Sequence, residues 1–532
     1  MLQRQAFDNA LAREDTAAVL ALLRVNPTLI NQGAPNNFTP FQSVIQSGHT
    51  NMAELLIAHG ADINAADIFG RTPLHNVVQN YGSENIAMLD ILLAHGANVH
   101  AFDHDGLTPL HTAVKNGNSL AIQRFLAHGM SINTQDEDGD TPLHIAAAAA
   151  NLAVAALLLS DGAQVSARNR AGDTPLHAAM HAFQYNTNYI TGGDPSKAAM
   201  EQLLIAHGAQ INTRDSLGLT PLLSSLLNGD QITHAVLLQH HPAMDTQTAF
   251  LEATAQNNAP KLRRLLEASP LLASARVVTG ASPLHVAALW NAQQSAALLI
   301  QHGANINSRD AEGQTPLHYV ARILDGTPMT AWLLARHADP NAADGLGNTP
   351  LHVAVRLGAR PAVAVLLAHH AVVNALNRSR QTPLELALPN SYNGGSDVAA
   401  NTELSITVLL LNAGADPNIR TWNGSQTPVI RAVEMHDLPL VRLLLDHGAN
   451  PNTPEPDFQR NTPLMLAAES GNQEITALLL AHGADPTAKN SAGQTALDIA
   501  LRNNHPDISA LLRAATPPPP FIPSRKHSKA CS

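Results

Sequence analysis

The sequence predicts an all-α fold built from stacked helical repeats, and three observations predict it. The tetrapeptide Thr-Pro-Leu-His begins at Thr72, Thr108, Thr141, Thr174, Thr315 and Thr349, with Ser-Pro-Leu-His at Ser282. Variants begin at Thr39, Thr220, Thr382, Thr427, Thr462 and Thr495, and the commonest spacing is 33, as from Thr108 to Thr141. A fixed period of this length marks a repeat architecture. The second observation is a closing signature, Leu-Leu-x-x-His-Gly-Ala, about 17 residues after most of these starts, as at Leu55, Leu56, His59 and Gly60. The third is composition: 532 residues are 45% hydrophobic but only 3% aromatic. That is little anchor material for several globular cores, yet enough for thin layers that bury Leu, Ala and Val against their neighbours.

Each unit carries a start and a stop. Thr or Ser N-caps a first helix, and the following Pro sits in its first turn, where a missing N–H costs nothing. The glycines that end the second signature, among them Gly60, Gly162 and Gly303, suit the left-handed position just past a helix. His241, His337 and His370 stand at that same place, and a non-Gly residue there is strained by roughly 1–2 kcal/mol. The next stretch, such as 61–71, carries Asn, Asp and Gly and reads as a hairpin-like loop. Helices of only about eight to ten residues are too short to hold alone, so stacking must stabilise them.

These motifs, six full tetrapeptides in register with the Leu-Leu and His-Gly-Ala signatures, resemble the ankyrin repeat over about residues 6 to 514. The resemblance implies paired antiparallel helices stacked into a curved solenoid of about 14 units, with hairpin-like finger loops and a binding surface on the concave side. It also implies that the seven histidines closing the tetrapeptide, His75, His111, His144, His177, His285, His318 and His352, tie neighbouring repeats together. Asn64 and Asn341, in the hairpins, resemble ankyrin positions modified by asparaginyl hydroxylases, although a structural turn role is the expectation.

Departures from the pattern locate joints. Spacing grows to 46 between Thr174 and Thr220 and to 45 between Thr382 and Thr427, which places inserted loops at about 183–197 and 390–403. The segment from Ala249 matches the one from Ala6 at a constant offset of 243. Two tandem arrays are expected, 1–246 with a cap at about 6–37 and 247–514 with a cap-like repeat at about 249–280; one continuous, kinked solenoid is the alternative. Residues 515–532 form a Pro-rich tail, expected to be disordered, in which Pro520 to Arg525 read as a PxxPxR ligand for an SH3-type partner.

Chemistry-bearing motifs are scarce. The sequence shows no P-loop, no His-Glu-x-x-His and no Gly-x-Ser-x-Gly. In the run Asp136-Glu137-Asp138-Gly139-Asp140 the sixth place, which a calcium loop gives to Gly, is Thr141. One cysteine, Cys531, allows neither an internal disulfide nor a Cys-based zinc site. No catalytic residue, metal or cofactor is expected, and the chain reads as a non-catalytic scaffold or adaptor. An enzyme with an unrecognised site in the inserted loops is the rival of another class.

Charge is uneven. Residues 1–246 hold 10 Lys plus Arg against 21 Asp plus Glu, and the remainder 21 against 21, so the whole net charge of −11 lies in the first half. Asp103, Asp105, Asp136, Glu137, Asp138 and Asp140 concentrate it on adjacent finger tips, which would steer a basic partner. Duplex nucleic acid would need a basic stripe that is not there. In the second half, Trp290, Tyr319, Arg322 and Arg356 fall on successive first helices and are of the types that dominate binding hot spots. The longest apolar stretch, Ile145–Leu159, is short of the roughly 20 residues that span a bilayer. With no signal peptide at the N-terminus, a cytoplasmic protein without a membrane partner is expected; an exported effector that binds a host protein is the runner-up.

Overall fold

The computed structural model describes residues 2–33, 38–79, 83–181, 195–324, 326–388, 397–419, 426–456 and 458–515. Among them are thirty α-helices, two short 3-10 helices and no strand, so the all-α expectation holds. The chain divides into two units, Met1–Glu252 and Ala253–Ser532, and the division falls within the helix Thr246–Ala255.

A repeat in the first unit shows how the sequence writes each layer. Thr141 caps the helix Pro142–Ala148, with His144 completing a capping box, and Asn151 caps the helix Leu152–Ser160 by accepting from the Val154 N–H at 3.2 Å. Gly162, at φ 90°, then turns the chain out of the second helix. His241, His337 and His370 take the same left-handed turn at φ 50°, 67° and 63°, as their position demands. Leu143, Ala146, Ala155 and Leu158 are fully buried. Each such leucine contributes about 1.5–3 kcal/mol, so a layer this thin is stable only between neighbours.

Two hydrogen-bond ladders then lock layer to layer. The first is the histidine row. The Thr141 N–H donates to His144 Nδ1 at 3.1 Å, while His144 Nε2 reaches the Asp173 carbonyl of the next repeat at 3.0 Å. The same pairing ties His75 to Leu107, His111 to Asp140 and His177 to Leu219 in the first unit, and His285 to Gln314, His318 to Asn348 and His352 to Gln381 in the second. Because Nδ1 accepts and Nε2 donates, the ring is held as the neutral Nε2–H tautomer.

The second ladder runs through the hairpin Asn. Asn64 Oδ1 accepts from the Asn98 N–H at 2.7 Å and Asn341 Oδ1 from the Val372 N–H at 2.7 Å. Asn452 does so twice over, accepting from the Asp485 N–H at 2.7 Å and donating to the Gly483 carbonyl at 3.0 Å. Asn31, Asn133, Asn212, Asn307, Asn374 and Asn418 repeat the pattern. Surface positions are usually worth under ~0.5 kcal/mol, but Asn452→Ala should cost about 1–2 kcal/mol, because it strips partners from two backbone groups. Urea denaturation, together with faster amide exchange at Asp485, would check this; an unchanged exchange rate would count against the ladder.

Candidate partner-binding surfaces

The fingers are built by a recurrent Asx residue five positions before the tetrapeptide. Asp103 Oδ1 accepts from the Asp105 and Leu107 N–H groups, both at 3.0 Å, and Asp136 Oδ1 from those of Asp138 and Asp140 at 3.0 and 2.8 Å. Asp67, Asp215, Asp310, Asp344 and Asn490 close their fingers in the same way. Adjacent tips are then bonded backbone to backbone. The His104 N–H donates to the Phe69 carbonyl, Glu137 to Gly106, Arg170 to Asp138 and Ser216 to Ala171, at 2.9–3.1 Å. In the second unit Ala311 pairs with Thr279 and Arg378 with Leu346. The spacing is close enough that a Cβ at Gly280, φ 77°, would lie 2.5 Å from the Ala311 nitrogen. Long side chains staple fingers too: Arg309 donates both to Gly313 in its own finger and to Ala343 in the next.

This construction separates the six acidic candidates. Asp105, Glu137 and Asp138 are exposed at successive tips, whereas Asp103 and Asp136 are turned inward, each 7% exposed, and Asp140 is half-buried with Oδ1 accepting from Asn169 Nδ2 at 2.7 Å. Burial pushes the Asp136 carboxyl up to about 6, against the backbone N–H groups that favour its charged form. Of the six, Asp105, Glu137 and Asp138 are thus the ones presented to solvent, on fingers that Asp103 and Asp136 close and that the inter-finger backbone bonds align.

In the second unit, Arg322 and Arg356 are exposed at the ends of the helices Pro316–Ala321 and Pro350–Arg356, and Trp290, half-buried, caps the helix Pro283–Leu289. Tyr319 is 8% exposed: its hydroxyl donates to Asp310 Oδ2 at 2.9 Å and its ring meets the His285 ring edge-on at 4.9 Å. Burial, followed by the Asp310 carboxylate, pushes its phenol well above the usual range. What Tyr319 offers outward is a seat for Arg322, whose guanidinium lies 5.9 Å from the ring centre. Trp332, on the helix Thr327–Leu334 and outside the sequence-derived candidates, holds the Arg336 guanidinium 3.8 Å from its ring centre. An aromatic residue in the last turn of a helix, four before an Arg just past its end, is the signal that points to it.

One arrangement has the outline of a nucleophile relay. Ser225 Oγ lies 3.0 Å from His234 Nδ1, and His234 Nε2 lies 2.6 Å from Glu252 Oε2. The three are 1%, 4% and 2% exposed, and the Ser225 hydroxyl donates to the Leu222 carbonyl at 2.7 Å. The serine proton is spent inside its own helix and the group is sealed from solvent, so the geometry makes a buried polar tie, not a reacting one. Among the described residues no group of three or more His, Cys, Asp or Glu could hold a metal, and no helix is long and apolar enough to cross a membrane. The inserted loops, except Pro195–Lys197 and 397–403 at their helical ends, and the tail beyond 515 lie outside the described residues.

Capped helix pairs, paired fingers and two inter-repeat ladders together define a repeat scaffold of the kind that binds other proteins. The comparisons agree. A family model described as ankyrin repeats (3 copies) matches residues 8–103, 82–169, 110–190, 250–342, 396–490 and 455–517, and one described as ankyrin repeats (many copies) matches 332–387. The chain belongs to the ankyrin repeat family. Among curated proteins it is similar to a putative ankyrin repeat-containing protein of Treponema pallidum (strain Nichols), 48% identical over 61 residues, 12% of this chain and 20% of that one. It is also similar to Rabankyrin-5 of Homo sapiens, 49% identical over 39 residues, 7% of this chain and 3% of that one. The chain thus spans a fifth or less of these relatives. Among solved structures, the ankyrin repeat domain of Bcl-3, a member of the IkappaB protein family, aligns with a TM-score of 0.37 at 29% identity, covering 44% of this chain and 99% of that one.

Proposed function

We propose that the chain is a non-catalytic scaffold that brings two protein partners together, a basic one on the finger tips of the first unit and a second one on the Trp290, Tyr319, Arg322 and Arg356 surface of the second. The observation that carries the reading is the division of labour in each repeat. The tetrapeptide His and the hairpin Asn are consumed in bonds to the next layer, and the finger-closing Asp in bonds within its own finger, so the residues free to vary sit at the tips and on the ends of the first helices. Scaffolding of this kind pre-organises those residues, and a partner pays little to order them. The paired ladders support that rigidity, and the charge of −11 confined to the first half, beside a neutral second half, supports partners of different character.

Affinity capture with the full chain tests it. The Asp105→Lys/Glu137→Lys/Asp138→Lys variant should lose one set of captured proteins, the set that is salt-sensitive, while Arg322→Ala/Arg356→Ala loses another. If both variants lose the same proteins to the same extent, the two-partner reading fails.

A further inference from the structure

Resting on the proposal of a basic partner for the first unit, we infer that its finger row seats an extended peptide segment read in a fixed order: one bulky apolar residue, two cationic residues and then an acidic residue, spaced about three residues apart. The inter-finger bonds place five tips side by side in sequence. The first tip presents Ile68 and Phe69, 47% and 56% exposed, which is a large apolar surface for a loop apex. The Arg71 guanidinium, 5.3 Å from the Phe69 ring centre, holds that ring in place. The second tip presents Asp105 and the third Glu137 and Asp138, all exposed. The fourth reverses sign with Arg170, also exposed, and the fifth presents Leu217, 58% exposed.

The spacing sets the ligand. Packed helices stand about 8–10 Å apart, and the fingers inherit that pitch. An extended chain advances about 3.3 Å per residue, so a side chain meets each successive tip every third residue. A solvated acidic surface would need neither the exposed Phe69 at one end nor the charge reversal at the other. Together they give the row two ends, so that it discriminates order as well as charge. Apolar contact at Phe69 supplies the anchor, and Asp105, Glu137 and Asp138 supply steering and register.

The test uses fluorescein-labelled peptides and the full chain, read by anisotropy. The in-register probe is Ser-Phe-Ser-Gly-Lys-Ser-Gly-Lys-Ser-Gly-Glu; the control has the same composition ordered Lys-x-x-Phe-x-x-Glu-x-x-Lys. The in-register peptide should bind at least ~10-fold tighter than the control, and weaken about 10-fold as salt rises from ~50 to ~300 mM. Phe69→Ser should remove about 10-fold of affinity. Asp105→Lys/Glu137→Lys/Asp138→Lys should invert the preference, so that the variant binds the probe with Glu in place of both Lys. These are exposed side chains at tips whose closing bonds come from other residues, and an unchanged melting curve confirms that the variants fold. Equal binding of probe and control, or full affinity in Phe69→Ser, overturns the proposal. Basic proteins captured by the full chain in a salt-sensitive way, without peptide discrimination, would leave the broader reading standing and remove this one.

Discussion

Exchanging His111 and His285 for glutamine is expected to leave the protein nearly as stable at neutral pH as the wild type while removing a large part of its sensitivity to acid. Burial lowers the pKa of both rings from 6.5 to about 4, outweighing the backbone carbonyls of Asp140 and Gln314 that pull the other way. Burial likewise lowers His75, His144, His318 and His352. The folded state therefore binds fewer protons than the unfolded one. Stability is fully present above 6.5 and is lost as pH falls from there through about 4. At 1.36 kcal/mol per unit, His111 and His285 each account for roughly 3 kcal/mol of that loss. Glutamine is the right replacement because the chain already uses it. Gln42 stands at the same position in the first repeat, where Oε1 accepts from the Thr39 N–H at 2.8 Å and Nε2 donates to the Arg71 carbonyl at 3.3 Å. It keeps both bonds and takes up no proton. The two sites lie in different units, so their effects should add. Urea midpoints at about pH 7.5 and about 4.5 read the result; a double variant that loses as much stability on acidification as the wild type would show that the histidine row is not the acid sensor.

The repeat itself was legible because it is written in residues with narrow local meanings. Thr-Pro at a helix start, Gly or a strained His at its end and Asn-Asp-Gly in the loop each constrain the backbone without reference to the rest of the chain. Even the left-handed His241, His337 and His370 could be read from position alone. The candidate surfaces were less legible, for a physical reason visible at Asp103, Asp136 and Tyr319. An Asp in a loop reads as surface charge until its backbone is closed, and only then does Oδ1 meet the two N–H groups that turn it inward. The periodicity held the clue, since an Asx recurs five places before the tetrapeptide from Asp67 to Asn490, and a residue that keeps the period serves the scaffold. Tyr319, by its side-chain type on a first helix, reads from sequence as a surface anchor. Its partners, Asp310 in the preceding finger and His285 in the preceding repeat, become neighbours only through stacking. Asp105, Glu137, Asp138, Arg322 and Arg356 depart from the period or end a helix, and they are the candidates that remain in solvent.

Glu201 produces the opposite pH response, and Glu201→Gln should stabilise the first unit increasingly as pH rises. The carboxyl is fully buried on the helix Pro195–Ala206. Burial pushes it from 4.5 up to about 8; the Thr233 hydroxyl opposes the shift, Asp230 adds to it, and Lys197 on the same helix opposes it. Here the folded state binds more protons than the unfolded one. The stability that Glu201 contributes is fully present below 4.5 and is lost as pH rises through about 8. Over that window the loss is on the order of 4–5 kcal/mol, of which roughly 3 has gone by neutral pH. Glutamine has the shape of the protonated acid and nothing to ionise. The variant should match the wild type near pH 4.5 and exceed it by several kcal/mol near pH 9, an effect large against a domain's total stability of about 5–15 kcal/mol. Asp136 titrates within the same range, with its carboxyl at about 6, but it is present in both proteins and cancels in the difference. Denaturation across that range decides the matter. A stability difference that does not grow with pH would mean that Glu201 is already ionised in the folded protein, with Lys197 as its counter-ion in place of a bound proton.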